Sequence, residues 1–112
     1  MTTIEALGAP RRREILRLVW QEERSAGELH RALGNVTFGA VSQHLRILSD
    51  SGLLHRRGEG RKRFYRAQKE ALGPLKEWLE TMWSDALYRL KIRAEMEEAR
   101  RGPMPQKRRR KR

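Results

Sequence analysis

The chain has 112 residues, the size of one domain with a short tail, and its 38% hydrophobic content allows only a small core. Its formal net charge of +12, from 26 Lys and Arg against 14 Asp and Glu, calls for an acidic partner, either nucleic acid or an anionic membrane. Cysteine is absent, which excludes disulfides, thiolate metal sites and thiol redox chemistry; no run has the ~20 apolar residues of a membrane span or the apolar core of a signal peptide, so a soluble cytoplasmic protein is expected.

In chain order, residues 3–8 predict a short helix exposing Ile4 and Leu7. Pro10 suits a first helical position, and a second helix is expected to Gln21, with Ile15, Leu18 and Val19 on one side and Leu16 and Trp20 on another. Ala9 is a poor cap, and Arg11, Arg12 and Arg13 at a helix start oppose the macrodipole. Either a solvated basic turn or a nearby DNA phosphate accounts for them.

Ser25 to Asp50 predicts two helices and a tight turn. Ser25 and Glu28 have capping-box spacing, and Leu29, Ala32 and Leu33 share a side. Gly34-Asn35 breaks the pattern, Thr37 is placed to cap a second helix, and Gly52 to end it. At about 100° per residue, Val41, Leu45 and Leu48 form an inward stripe, while Gly39, Ser42, Gln43 and Arg46 lie opposite. This is a helix-turn-helix pattern, whose second helix enters a DNA major groove; the bland alternative is a helical pair with a solvated face. Gln43 can pair with adenine, Gly39 permits close backbone approach, and Arg46 reaches a guanine or a phosphate. His44 lies beside the apolar stripe, which favours packing over base contact, and Phe38 suits either a thymine methyl or a staple to the core.

Leu53-Leu54 and Phe64-Tyr65 anchor a two-stranded β-hairpin bent at Gly58-Glu59-Gly60. Six basic residues lie on it (Arg56, Arg57, Arg61, Lys62, Arg63 and Arg66) against one acid, Glu59; a solvated edge would explain them, but phosphate contact fits their place after a recognition helix better. A long helix is predicted from Pro74 to about Ala99. Leu75, Leu79, Met82, Ala86 and Leu90 make a seam that Trp78, Trp83 and Leu87 widen. At ~37 Å it exceeds what so small a domain can cover, so a homodimer is expected. Residues 100–112 carry eight basic residues and no acid and predict a disordered tail, either adding nonspecific DNA affinity or aiding solubility; residues 1–99 form the domain. The fold class is therefore mainly α with a β-hairpin, a winged helix-turn-helix with a long C-terminal dimerisation helix.

ALGAPRRREIL at residues 6–16, SAGELHRALG at 25–34 and VSQHLRILSDSGLLHRRGEGRKRFYR at 41–66 resemble the ArsR-type winged-helix repressors of prokaryotes. The resemblance implies a homodimeric repressor on a palindromic operator, associated with the nucleoid, its first and last helices forming the dimer interface. Carried over by position, Thr37, Ser42, Gln43 and His44 fall on the recognition helix and Arg61, Lys62 and Arg63 on the wing; Ile4, Leu7, Leu75, Trp78, Leu79, Met82, Trp83, Ala86 and Leu90 fall on the dimer face. Metal-sensing members use a cysteine motif on the first helix of the two-helix unit, or Asp and His ligands on the last helix. Here that first stretch reads Glu28 to Leu33 without cysteine, the last helix has Asp85 but no histidine, and His30, His44 and His55 form no spaced ligand set. The metal-independent branch, with no metal and no cofactor, is expected.

The alternative function is an architectural or RNA-binding basic protein in which tail and wing supply sequence-blind affinity. An enzyme is disfavoured, since no paired carboxylates, activated nucleophile or glycine-rich phosphate loop is present. The operator, regulated genes and any small-molecule effector are not written in the sequence.

Overall fold

The computed structural model describes residues 2–100, so the basic tail expected beyond Arg100 lies outside the described residues. Among the described residues six α-helices run in the order α1 (Thr3–Ala6), α2 (Pro10–Leu18), α3 (Ala26–Leu33), α4 (Phe38–Asp50), α5 (Leu75–Trp83) and α6 (Ala86–Arg100). Between them lie strands β1 (Arg24–Ser25), β2 (Leu54–Glu59) and β3 (Lys62–Ala67) in an antiparallel sheet of order β1-β3-β2. This is a winged helix-turn-helix. Ile15, Leu16, Leu29, Val41, Leu48 and Leu53 are wholly buried where α2, α3, α4 and the sheet meet. Truncating one of these leucines to alanine would cost about 2–5 kcal/mol.

The two-helix unit forms as its spacing predicts. Ser25 accepts from the Glu28 amide at 3.1 Å while the Glu28 carboxylate accepts from the Ser25 amide at 2.8 Å. Thr37 caps α4 through the Ala40 amide at 3.0 Å. Each cap stabilises its helix by ~1 kcal/mol. At the turn, Gly34 takes φ 78°, which a side chain would resist, and a His30 Nε2–Val36 carbonyl contact of 3.0 Å ties the turn to α3. Gly52, at φ 79°, ends α4. Its amide donates to the Ser49 carbonyl, and the Leu53 amide donates to the Leu48 carbonyl at 2.9 Å. That paired closure aims the chain from α4 directly into β2, so the wing's direction follows from the recognition helix's end.

Four expectations need correction. First, the sheet has three strands rather than two. Ser25, as an N-cap, is extended (φ −78°, ψ 160°), so it and Arg24 can pair with the free edge of β3, Arg24 opposite Tyr65. Second, the hairpin bends at Gly60-Arg61, because Glu59 pairs with Lys62 and leaves Gly58 inside β2. Third, α2 stops at Leu18 rather than Gln21, with Val19 as its C-cap.

Fourth, the predicted single C-terminal helix is two. Asp85 accepts from the amides of Leu87 (2.9 Å) and Tyr88 (3.3 Å), so it caps a new helix instead of continuing the old one. Ser84, the C-cap of α5, is held by the Glu80 carboxylate and by Gln21 Nε2 at 2.7 Å. The second half packs back on the chain: Ile92 and Met96 are buried, and Glu95 pairs with Arg17 at 3.2 Å. The apolar length that called for a second copy is thus partly covered by the chain itself.

The three arginines opening α2 are engaged within the protein, by partners that neither expected explanation includes. The four-residue helix α1 leaves carbonyls at its end short of partners, only that of Glu5 accepting from the Gly8 amide, and the guanidinia reach back to them. Arg12 donates to the carbonyls of Ala6 and Glu5, and Arg13 donates to Leu7 at 2.8 Å. Arg11 bonds Glu14 and the Leu33 carbonyl. Arg12 and Arg13 thus lock α1 against α2 and Arg11 ties α2 to the end of α3, which is neither a solvated turn nor a requirement for phosphate.

Candidate nucleic-acid interface

Helix α4 is divided lengthwise. Val41, Leu45 and Leu48 are buried, while Thr37, Gly39, Ser42, Gln43 and Arg46 are exposed on the far side. The buried stripe clamps the helix to the core, so the polar face is held without involving the side chains that compose it. Phe38 is half exposed and packs edge-on against the His30 ring at 5.5 Å, which makes it a staple between α3 and α4 that still shows a face to solvent.

His44 sits on the boundary, partly buried, and its Nδ1 meets no protein acceptor. Burial, then the Arg12 and Arg11 guanidinia, hold its pKa below the ordinary histidine value of 6.5. Protonation is therefore resisted in the folded state more than in the unfolded one. The stability this contributes is complete above the unfolded value and is lost as pH falls below it towards the folded value. Thermal melts of the wild type should show a lower Tm at pH 5 than at pH 7. In His44→Gln part of that slope should vanish; an unchanged slope would assign it to other groups.

The wing's register sorts its charges by face. Arg57 and Phe64 lie opposite each other, as do Glu59 and Lys62, and His55 and Arg66. Arg57 is engaged within the protein: it is paired with both Glu23 and Glu59 and lies 4.8 Å above the Phe64 ring. Glu23 raises its pKa further, while the same hydrogen bond lowers that of Glu23. On the other face, Arg56 is beside Tyr65, and Arg63 opposes Gly58. Arg56, Arg61, Lys62, Arg63 and Arg66 are exposed and make no ion pair among the described residues. Of the six basic wing residues, Arg57 alone is neutralised by carboxylates, which the run of like charges did not reveal because Glu23 comes from before β1.

The residues expected at the dimer face divide. Leu79 and Trp83 are buried in the chain's own core, with Trp83 packed edge-on against Trp20 at 5.1 Å. Ile4, Leu75, Trp78 and Met82 are exposed, as is Leu90 on the separate helix α6. Leu7, Leu75, Trp78 and Met82 line a groove of about 440 Å³ where α1, α2 and α5 meet. No group of three or more His, Asp or Glu side chains that could hold a metal occurs among the described residues, and no described helix is long and apolar enough to cross a membrane.

A capped two-helix unit with an exposed polar second helix and a basic hairpin directly behind it defines the class of winged-helix DNA-binding proteins. Residues 9–56 match the family model described as "Bacterial regulatory protein, arsR family". The chain is 33% identical to a solved structure described as a possible transcriptional regulator for arsenical resistance, over 81% of this chain and 94% of that one, with a TM-score of 0.62. It is 30% identical to HlyU from Vibrio cholerae N16961, over 73% of this chain and 88% of that one, with a TM-score of 0.63. It is also 30% identical to the transcriptional regulator HlyU from Vibrio vulnificus CMCP6, over 71% and 82%, with a TM-score of 0.61. No curated protein sequence matches the chain. The chain belongs to the arsR family of bacterial regulatory proteins, and is a DNA-binding transcriptional regulator.

Proposed function

We propose that the protein is a sequence-specific repressor of the metal-independent kind, acting in the cytoplasm as a homodimer on a pseudo-palindromic operator. The observation that carries this is the exposed face of α4, where Ser42, Gln43 and Arg46 stand opposite the buried Val41, Leu45 and Leu48. Ser42 and Gln43 read base edges in the major groove, with Gly39 allowing close approach and Thr37 at the helix start. Arg46 takes a guanine or a phosphate, and His44 supports the helix from its inner margin. Arg61, Lys62 and Arg63 at the wing tip contact the sugar-phosphate backbone or enter the minor groove. Two copies joined through Ile4, Leu7, Leu75, Trp78 and Met82 place their recognition helices about one DNA turn apart, ~34–36 Å.

Arg61→Ala and Arg63→Ala are expected to weaken binding to all DNA sequences alike. Each should flatten the plot of log affinity against log salt by about one unit per lost phosphate contact. An unchanged slope would remove the wing tip from the interface. The whole reading is tested by selecting bound duplexes from a random pool and titrating the winner against random DNA. A two-fold-symmetric motif preferred by ~10³-fold or more is expected. Equal affinity for both would favour an architectural protein instead.

A further inference from the structure

A second concentration of guanidinia lies away from α4 and the wing tip, in a crevice between the end of α2, strand β1 and helix α6. Arg17, Arg24, Arg89 and Arg93 all line it, against one lining carboxylate, Glu22. Glu22 is divided between Arg24, at 3.3 Å, and Arg93, at 3.7 Å. Arg17 is satisfied by Glu95 and Glu14, from just outside. Two donors remain. The Arg24 side chain is 13% exposed, and its Nε–H is buried with no acceptor. Arg89 is exposed and makes no ion pair among the described residues. A buried guanidinium N–H without a protein acceptor is costly, and an oxygen reaching it would remove the cost, that of an anion more strongly than that of a water.

The size of the space narrows the ligand. The crevice is about 20 Å³, just above what a single water or oxygen atom needs, and Leu18, Trp83 and Ile92 make part of its lining apolar. One oxygen fits within, while the rest of its group stays at the mouth with the exposed Arg89 and Arg93. We propose that this crevice is an oxyanion site taking the carboxylate or phosphoryl head of a small molecule, and that the bound anion acts as an effector of DNA binding. Its lining joins the elements such coupling requires. Arg24 is paired with Tyr65 of the wing strand and directly precedes the Ser25 cap of α3. Trp83 ends α5, and Arg89 and Arg93 belong to α6. An anion drawing these guanidinia together alters how the wing and the two-helix unit sit against α5 and α6. The effector role, but not the binding, rests on the regulator function proposed above.

The test titrates the full chain with inorganic phosphate, and separately with acetate, at constant ionic strength. Heat and the Arg24 Nε–Hε NMR signal are the readouts. Saturable binding of one anion per chain with a shift of that signal is expected, phosphate the tighter for a phosphoryl head and acetate for a carboxylate. Arg89→Gln, a surface change that leaves the core intact, should weaken it by about tenfold or more, the loss of one charged hydrogen bond. Arg61→Gln should leave it unchanged. No saturable binding, or equal binding by Arg89→Gln, overturns the site. Phosphate should also change affinity for the selected duplex in the wild type but not in Arg89→Gln; equal affinity with and without phosphate overturns the effector role. If Arg89→Gln flattens the salt dependence of DNA binding, the cluster is a DNA-backbone contact and the proposal falls. Failure to discriminate among duplexes without phosphate would remove the regulator function alone, because the anion titration contains no DNA.

Discussion

Replacing Trp78 and Met82 together by glutamate is expected to produce a folded monomer whose operator affinity is ~10²–10⁴-fold below that of the wild type. Trp78 is 65% exposed and Met82 43% exposed, so neither supports the chain's own core, and the substitutions should leave circular dichroism unchanged. Both line the groove that Leu7 and Leu75 share, and a second copy would bury them. Two carboxylates per copy would be desolvated in an interface whose lining cations, Arg13 and Arg17, are already held by the Leu7 carbonyl and by Glu14 and Glu95. A monomer holds only one half-site, losing the advantage of a linked second one, which accounts for the size of the effect. Leu79 and Trp83 are unsuitable for this experiment: they are buried within one chain, and charging them would unfold it. Sedimentation velocity provides the check. Dimers that persist with both glutamates would place the interface elsewhere.

The second large effect is expected from Gln43→Ala, about 1–3 kcal/mol on the best operator, or roughly 5–150-fold. Gln43 is exposed on α4, and its amide presents both a donor and an acceptor, the pair that adenine offers in return. Truncation removes both bonds without disturbing Val41 or Leu45, which anchor the helix from the opposite side. Affinity for random duplexes should barely change, and base preference should relax at one position of the selected motif. Equal losses on specific and random DNA would mean that Gln43 positions the helix or touches a phosphate rather than reading a base.

These two experiments draw on different levels of information. Gln43 can be chosen from the residue order, because the caps at Ser25 and Thr37 and the stripe Val41, Leu45, Leu48 are local patterns. A capping box spans four residues and a helix repeats every 3.6, so short-range spacing determines which face is buried and which is free. The same holds for Gly34 and Gly52, each at a positive φ where a tight turn must close. Trp78 and Met82 could not be separated from Leu79 and Trp83 in this way. All four share one apolar pattern, and only the placement of α5 beside Trp20 decides which pair is covered.

The amino-acid order by itself determined the helix-turn-helix, its polar face, the basic hairpin and, through its segments, the family, since each depends on neighbours a few positions apart. Contacts between distant segments decided the rest. Glu23 neutralises Arg57 across 34 positions, and Arg17 meets Glu95 78 positions away. Asp85 starts its helix by a local cap, but that this helix turns back to bury Ile92 and Met96 was decided by packing. Charge and apolarity are properties of a residue, but whether they are spent inside the chain or left for a partner is a property of the packed whole.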